Sequence, residues 1–344
     1  MQQFDTKSLI TWFEKEQREF PWRDKPTPYA VWVSEVMLQQ TRAEVVVPFF
    51  ERWMRRFPSI ASLAAAQLED VIKNWEGLGY YSRARNLHKA AQFLVEYYEG
   101  ELPSDPEDLK KIKGIGPYTL GAIRNFAFKQ RAAAVDGNVL RVISRYFTCC
   151  EDIAKVKTQQ KLRELVQGIL PQAKPWVFSE ALIELGALIC TKQPKCCQCP
   201  LKMSCGAYQQ GLTQKLPVKS KAQTITKLMR QVVLVLCGDA CLVKKGRKGE
   251  IMQDLYEFPY FETEEQNLSL IAEAVWLDKT VYLDKLAPVR QFFTRYRADL
   301  IPHVLRAEQR FMQADFIWIP LNELQQLPFS SGHKKIYQQL VRQS

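Results

Sequence analysis

Apolar residues recur at helical spacing from the N-terminus to about residue 212, and they begin to alternate only after about residue 228. That change of period limits what the chain can fold into, because a helix-period pattern does not settle as a strand. An all-α portion is expected first, then a smaller α+β portion. In the first, "IASLAAAQLEDVIKNW", "RARNLHKAAQFLVEYYEG" and "TQQKLRELVQGIL" read as helices, stopped by Pro58, Gly77, Gly79, Gly100, Pro103 and Pro171. In the second, "QVVLVLCGDACLVKKG" reads as a hairpin turning at Gly238-Asp239. Further strands are expected in "KTVYLDKL", "ADLIPHVLRAE" and "DFIWIPL", and a closing helix in "SSGHKKIYQQLVRQ". The expected boundaries are 1–212 for the helical domain, 213–227 for a basic linker and 228–344 for the α+β domain.

No apolar run reaches the roughly 18 residues that span a bilayer. The N-terminal stretch is amphipathic and carries acids, unlike a signal or transit peptide. A cytoplasmic protein with reduced thiols and no membrane partner is expected. The formal net charge is +11, and Leu185 to Arg230 holds eight Lys or Arg with no Asp or Glu. Such an unbalanced segment suits a polyanion, most simply nucleic acid, although a solvated basic linker would read the same way.

Four features carry chemistry. "WVSEVMLQQT" places Glu35 within an apolar helical run, where its neighbours Val31, Trp32, Leu38 and Gln39 would desolvate it and raise its pKa. "LKKIKGIGPYTLGAIRNFAF" is two helices joined at Gly114-Ile115-Gly116, with Pro117 fitting the first turn of the second. Glycines there let the backbone approach a phosphate, and Lys110, Lys111 and Lys113 precede them. This is a helix-hairpin-helix device for gripping DNA without reading its sequence. In "AAAVDGNVLRVISRYF", Asp136 stands where a carboxylate can cap the next helix and stay ionised. Finally, "CTKQPKCCQCPLKMSC" gathers five of the nine cysteines. That spacing suits an iron–sulfur cluster, with a four-thiolate zinc site as the structural rival.

In this order, the hairpin, the "VDGNV" aspartate and the cysteine loop resemble the helix-hairpin-helix DNA glycosylases with an iron–sulfur cluster. Within that superfamily, "PWR" at 21–23, "SEVMLQQT" at 34–41 and "GLGYYSRARNLHKAA" at 77–91 look like the MutY-type adenine DNA glycosylases. The resemblance is nearly unbroken from Phe20 to Cys205. It loosens in the C-terminal portion, which is placed like the family's Nudix-like domain but shows no Nudix box of ordered Glu and Arg residues. The fold it implies is a mainly α, helix-hairpin-helix glycosylase core with an iron–sulfur loop at 190–205, plus a smaller α+β Nudix-like domain.

The function it implies is base-excision repair of adenine opposite 8-oxoguanine or guanine in double-stranded DNA, by a monomeric enzyme that flips the nucleotide out. Glu35 matches the acid that protonates adenine N7, and Asp136 the carboxylate that stabilises the oxocarbenium-like sugar. Tyr118 stands where strand-cutting relatives carry a lysine, which implies a monofunctional enzyme. It matches a tyrosine that bonds the reacting carboxylates, and Asn138 a residue that orients the acid and water network. Arg18, Trp22, Arg23, Leu38 and Glu180 correspond to the adenine pocket. Gln40 and Thr41 correspond to contacts around the extruded nucleotide, and Leu78 and Tyr80 to the wedge loop. Gly114 and Gly116 match the backbone grip.

Two departures stand out. The family spaces its cluster ligands C-x6-C-x2-C-x5-C, whereas Cys190 to Cys196 is one residue short. Cys190, Cys196, Cys199 and Cys205 are the ligands expected for one [4Fe-4S] cluster, with Cys197 as the alternative second ligand. The family's Phe-Ser-His loop for 8-oxoguanine is replaced by Phe293, Thr294 and Arg295. Arginine has only donors and suits the acceptors of ordinary guanine, so a blunted preference for the oxidised base is expected, the alternative being that Arg295 holds only phosphate. The competing readings are an endonuclease III-like glycosylase and lyase, and a metal-stabilised DNA-binding protein without catalysis.

Overall fold

The structure, a computed structural model, describes residues 3–220, 225–262, 279–293 and 296–343. Helices fill the first part: α1 (Thr6–Glu16), α2 (Pro21–Asp24), α3 (Pro28–Leu38), α4 (Ala43–Arg56), α5 (Ile60–Ala64), α6 (Leu68–Asn74) and α7 (Ser82–Tyr97). They continue with α8 (Pro106–Lys111), α9 (Pro117–Ala122), α10 (Gly137–Tyr146), α11 (Val156–Ile169), α12 (Pro175–Leu188) and α13 (Gly206–Gln209). The run "IASLAAAQLEDVIKNW" divides into α5 and α6, because Gln67 takes extended backbone before α6 begins.

Helix α3 is apolar on every side because every side is covered, and Tyr29 through Met37 are all buried. The neighbours that make the helix a core element also take Glu35 out of water. A second core joins Val139, Ile143 and Tyr146 of α10 to Phe178, Leu182 and Leu185 of α12 and Leu162 and Val166 of α11.

The later part is a mixed sheet of β1 (Thr226–Cys237), β2 (Ala240–Lys245), β3 (Tyr256–Glu257), β4 (Tyr260–Glu262), β5 (Thr280–Lys285), β6 (Val289–Phe293), β7 (Tyr296–Ala307) and β8 (Phe316–Pro320). Helices α14 (Leu321–Leu324) and α15 (Ser331–Gln343) complete it. The strand path is β3-β2-β1-β7-β5, with β4 on β1, β6 on β7 and β8 on β2. The expected hairpin forms between β1 and β2, pairing Leu236 with Cys241. Strand β1 reads as an unbroken apolar run because both its faces are covered. Val232 and Leu234 join Phe258, Phe329 and Ile336 in one core, while Val233 and Val235 join Leu242 and Leu305 in another.

The chain divides into two compact units, Met1–Ala64 with Lys89–Ala222, and Ala65–His88 with Gln223–Ser344. The sequence-based boundaries are contiguous, whereas the structure groups α6 and the loop after it with the sheet. Ion pairs account for part of that grouping: Lys245 to Glu69 at 3.1 Å and Arg85 to Asp254 at 3.4 Å. Among the described residues, no helix is long and apolar enough to cross a membrane.

Candidate active site

Glu35 is 6% exposed, on the last full turn of α3. Tyr118, in the first turn of α9, donates its hydroxyl to Glu35 Oε2 at 2.5 Å. Burial pushes the Glu35 carboxyl up to about 7, and the negative charges of Asp136 and Glu180 add to the rise. The Tyr118 bond and the Arg23 charge oppose it without cancelling it. Burial beside these carboxylates also holds the Tyr118 phenol well above its ordinary value, so it remains a donor. Near neutral pH the site therefore keeps a proton on Glu35 in a large fraction of molecules.

Asp136 caps α10 as expected. Its Oδ1 accepts the N–H groups of Asn138 at 2.9 Å and Val139 at 2.8 Å, and its Oδ2 accepts Asn138 Nδ2 at 2.6 Å. The three bonds favour its charged form, and burial opposes them. Burial outweighs the three bonds and lifts its pKa above the ordinary carboxylate value. Asn138 is held in turn, since its Oδ1 accepts Arg141 Nη2 at 2.7 Å. Helices α10 and α12 approach so closely here that a Cβ on Gly186 would lie 2.6 Å from the Cβ of Asn138. Arg141 Nη2 also donates to the Gly186 carbonyl at 2.7 Å and its Nε to the Cys190 carbonyl at 3.2 Å.

Glu35, Tyr118, Asp136 and Asn138 line one cavity of about 1440 Å³, together with Arg18, Trp22, Arg23, Leu38, Gln40, Thr41 and Glu180. Trp22 is also a packing residue, stacked on Phe20 at 4.9 Å. Gln40 is exposed and has a left-handed φ of +59°. The arginines are fixed by a residue that sequence reading passed over. Glu184, buried on α12, accepts Arg18 Nε at 2.6 Å and Arg23 Nη2 at 3.1 Å. Arg18 also pairs with Glu44, and Arg23 lies 3.8 Å from Glu180. The available signal was the spacing of Glu180 and Glu184, one helical turn apart on an otherwise apolar helix.

The glycine hairpin lies between α8 and α9, with Gly114 at φ +94° and Gly116 at the helix start. Both are exposed. Lys110 and Lys111 pair with Glu107 and Asp108 at 2.6 and 2.7 Å, surface pairs that a stronger anion can displace. Beyond α9 the helix widens into a π-helical turn at Ile123–Ala127, which no sequence pattern announced, and Phe126 from that turn lines the cavity.

Of the two residues expected in a wedge loop, Tyr80 is 43% exposed with φ +46°, but Leu78 is only 7% exposed. Leu78 therefore packs inside, and Tyr80 is the residue that projects. Phe293 ends β6, with the Arg230 guanidinium 5.6 Å from its ring centroid. Thr294 and Arg295 lie outside the described residues.

Cys190, Cys196, Cys199 and Cys205 are free and partly buried, whereas Cys197 is exposed. Burial pushes the Cys199 thiol up to about 12, and Cys190, Cys205 and Cys196 add to that rise. Burial also raises Cys205, with Cys190 and Cys196 again contributing. These four thiols are thus electrostatic neighbours. Arg145, buried on α10, ties their loop down through the Cys190 sulfur at 3.3 Å and the Thr191 carbonyl at 2.7 Å. Among the described residues no group of three or more His, Cys, Asp or Glu could hold a metal ion.

Comparison with known proteins agrees with this architecture. Residues 33–168 match the HhH-GPD superfamily base excision DNA repair proteins, and residues 231–339 match the NUDIX domain. The adenine DNA glycosylase of Buchnera aphidicola subsp. Schizaphis graminum is 33% identical over 300 residues, covering 86% of this chain and 85% of its own. That of Buchnera aphidicola subsp. Acyrthosiphon pisum is 31% identical over 335 residues, covering 96% and 91%. The mouse enzyme of the same name is 40% identical over 242 residues, 67% of this chain and 47% of the mouse protein. Among solved structures, a thermostable thymine-DNA glycosylase matches with a TM-score of 0.54 at 26% identity, over 60% of this chain and 95% of that one. An endonuclease III trapped covalently on DNA matches in fold, with a TM-score of 0.53 at 24% identity over 60% and 95%. Identity sustained across nearly the whole length of the Buchnera proteins leaves one assignment: this chain belongs to the adenine DNA glycosylases, within the HhH-GPD base excision DNA repair enzymes.

Proposed function

We propose that the protein removes adenine mispaired with 8-oxoguanine or guanine in double-stranded DNA, and that it leaves an abasic site without cutting the strand. One observation carries this reading: two carboxylates with unlike partners, Glu35 and Asp136, face the same cavity. Glu35 receives a phenol and keeps a proton near neutrality. Asp136 receives three N–H bonds, which favour its charged form locally. A purine turned out of the stack can enter between them. Glu35 then donates its proton to N7 and the bond from adenine to the sugar breaks; Asp136 stabilises the charge that develops on the sugar, and water adds to the sugar carbon while its proton returns to the site's carboxylates. General acid catalysis of this kind contributes about 10²–10⁴-fold.

Tyr118 has a role without an amine: its hydroxyl steadies Glu35 before and after proton transfer. Arg18 and Arg23, braced by Glu184, set the pocket's polar wall. The Gly114–Gly116 turn would grip backbone phosphate, and Tyr80 would fill the stack. Opposite-base recognition is assigned to the Nudix-like part through Phe293, Thr294 and Arg295, the last of which would favour guanine acceptors.

Four thiols that sense one another make a donor set for a [4Fe-4S] cluster. Each ligand of such a cluster binds its own iron, so the sulfurs need not converge as they would on a single ion. Cys190, Cys196, Cys199 and Cys205 would hold it, and its contribution is to fold the loop from 190 to 205.

The test is release of free adenine from duplexes carrying A opposite 8-oxoguanine, G or T. Release from the first two but not the third is expected, with none from Asp136→Asn and no product trapped by borohydride. A wild-type protein that frees no adenine, or one trapped covalently by borohydride, overturns the proposal.

A further inference from the structure

The loop that projects Tyr80 begins at a buried carboxylate to which none of the foregoing gives a role. Glu76 directly precedes Gly77 and is 6% exposed. Its Oε1 accepts the N–H of Phe329 at 3.0 Å, and its Oε2 accepts Lys73 Nζ at 3.1 Å and the ammonium of Lys334 in α15. Lys73 reaches on to the carbonyls of Gln325 at 2.7 Å and Leu327 at 2.8 Å. The end of α6 is thereby bonded to the segment that leads into α15, within a single compact unit. A buried carboxylate satisfied by a backbone amide and two ammonium groups is a rigid joint, because removing the carboxylate takes away the acceptor that the Phe329 amide, Lys73 and Lys334 share.

The loop after this joint is shaped from inside. Trp75 Nε1 donates to the Gly79 carbonyl at 3.0 Å, and Arg83 Nη2 to the carbonyls of Leu78 at 3.1 Å and Gly79 at 3.3 Å. The backbone is left-handed at Gly77, Gly79 and Tyr80, with φ of +107°, +68° and +46°. A tyrosine held in that region and 43% exposed is presented, not packed. Farther along, Arg85 Nη1 donates to the Gln253 carbonyl at 3.0 Å, so the loop is bonded to the sheet-bearing portion on both sides.

We infer that Glu76 is a positioning residue: through it the C-terminal sheet portion sets the presentation of Tyr80, and so shares in lesion recognition without touching the damaged pair. This rests on the proposed insertion of Tyr80 into DNA. It also assigns the C-terminal portion a mechanical part beside any reading of the opposite base.

The experiment is a double-mutant cycle in the full-length protein, with Glu76→Ala, Tyr80→Ala and the pair. Binding of an A:8-oxoguanine duplex and single-turnover excision at saturating enzyme are both measured. Glu76→Ala is expected to weaken duplex binding about tenfold while changing the saturated rate less than twofold, a size typical of coupling within one network. In the Tyr80→Ala background the same change is expected to cost less than twofold. Glu76→Gln, which keeps the acceptor for Phe329, should recover part of the loss. If Glu76→Ala does not fold, Lys334→Met removes one donor from a partly exposed side and is expected to show a smaller version of the same pattern. Equal losses with and without Tyr80, or no loss at all, would overturn the inference. Wild-type protein that releases no adenine would instead sink the proposed function, so the two failures are distinguishable.

Discussion

Replacing Glu35 by glutamine should destroy excision and at the same time stabilise the protein, by an amount that depends on pH in a stated way. The folded carboxyl is raised from 4.5 to about 7 by burial, first of all. Moving a carboxyl over that interval corresponds to about 3 kcal/mol. The sign follows from proton binding: between these values the folded chain holds a proton that the unfolded chain has released, so stability falls as pH rises. Below about 4.5 both states are protonated and burial of Glu35 carries no ionisation cost; above about 7 the cost levels off near its full value. Glutamine removes it and can still accept the Tyr118 hydroxyl. The thermal midpoint of Glu35→Gln relative to wild type should therefore climb from pH 4.5 to 7 and then stay level. The plateau is expected several degrees above the acid value, at about 2–4 °C per kcal/mol for a unit of this size. The assay is a pair of melting curves at each of several pH values, run beside adenine release. A difference in midpoint that does not vary with pH, or a variant that still frees adenine at the wild-type rate, would refute the reasoning.

Tyr118→Phe removes a bond that lowers the Glu35 pKa. The alkaline limb of the pH–rate profile should move to higher pH, since the acid then keeps its proton longer; a limb that stays put or moves down would contradict this. Cys199→Ser is expected to abolish the visible absorption of an iron–sulfur cluster. Cys197→Ser, at an exposed thiol, should keep that absorption and change stability by less than about 0.5 kcal/mol; loss of the absorption in Cys197→Ser would move the second ligand to Cys197.

Much of the site is legible in the sequence. The burial of Glu35 follows from Val31 and Trp32 one turn away, because covering those residues covers the acid between them. The cap at Asp136 follows from the turn residues behind it. What could not be read lies in partners distant along the chain. Glu184 braces arginines more than 160 positions away, and no local period encodes such a meeting. Arg141 and Arg145 sit one turn apart on α10, a spacing that marks a shared face but not the carbonyls they would find. The grouping of α6 with the sheet was hidden for the same reason, since Glu76 meets Phe329 and Lys334 across more than 250 residues. The π-helical turn at Ile123–Ala127 was illegible for another cause: its residues suit an ordinary helix, and one extra residue per turn leaves no trace in composition.

Asp136 accepts the first amides of α10 through Oδ1, so the carboxylate proposed to stabilise the sugar is also the pin that starts a helix. Alanine there would lose the chemistry and also fray the helix start, at about 0.5–2 kcal/mol. Asparagine would lose the chemistry alone. The position thus tolerates silencing more readily than removal, and a protein disarmed in that way should still clasp its DNA and occupy the lesion without repairing it.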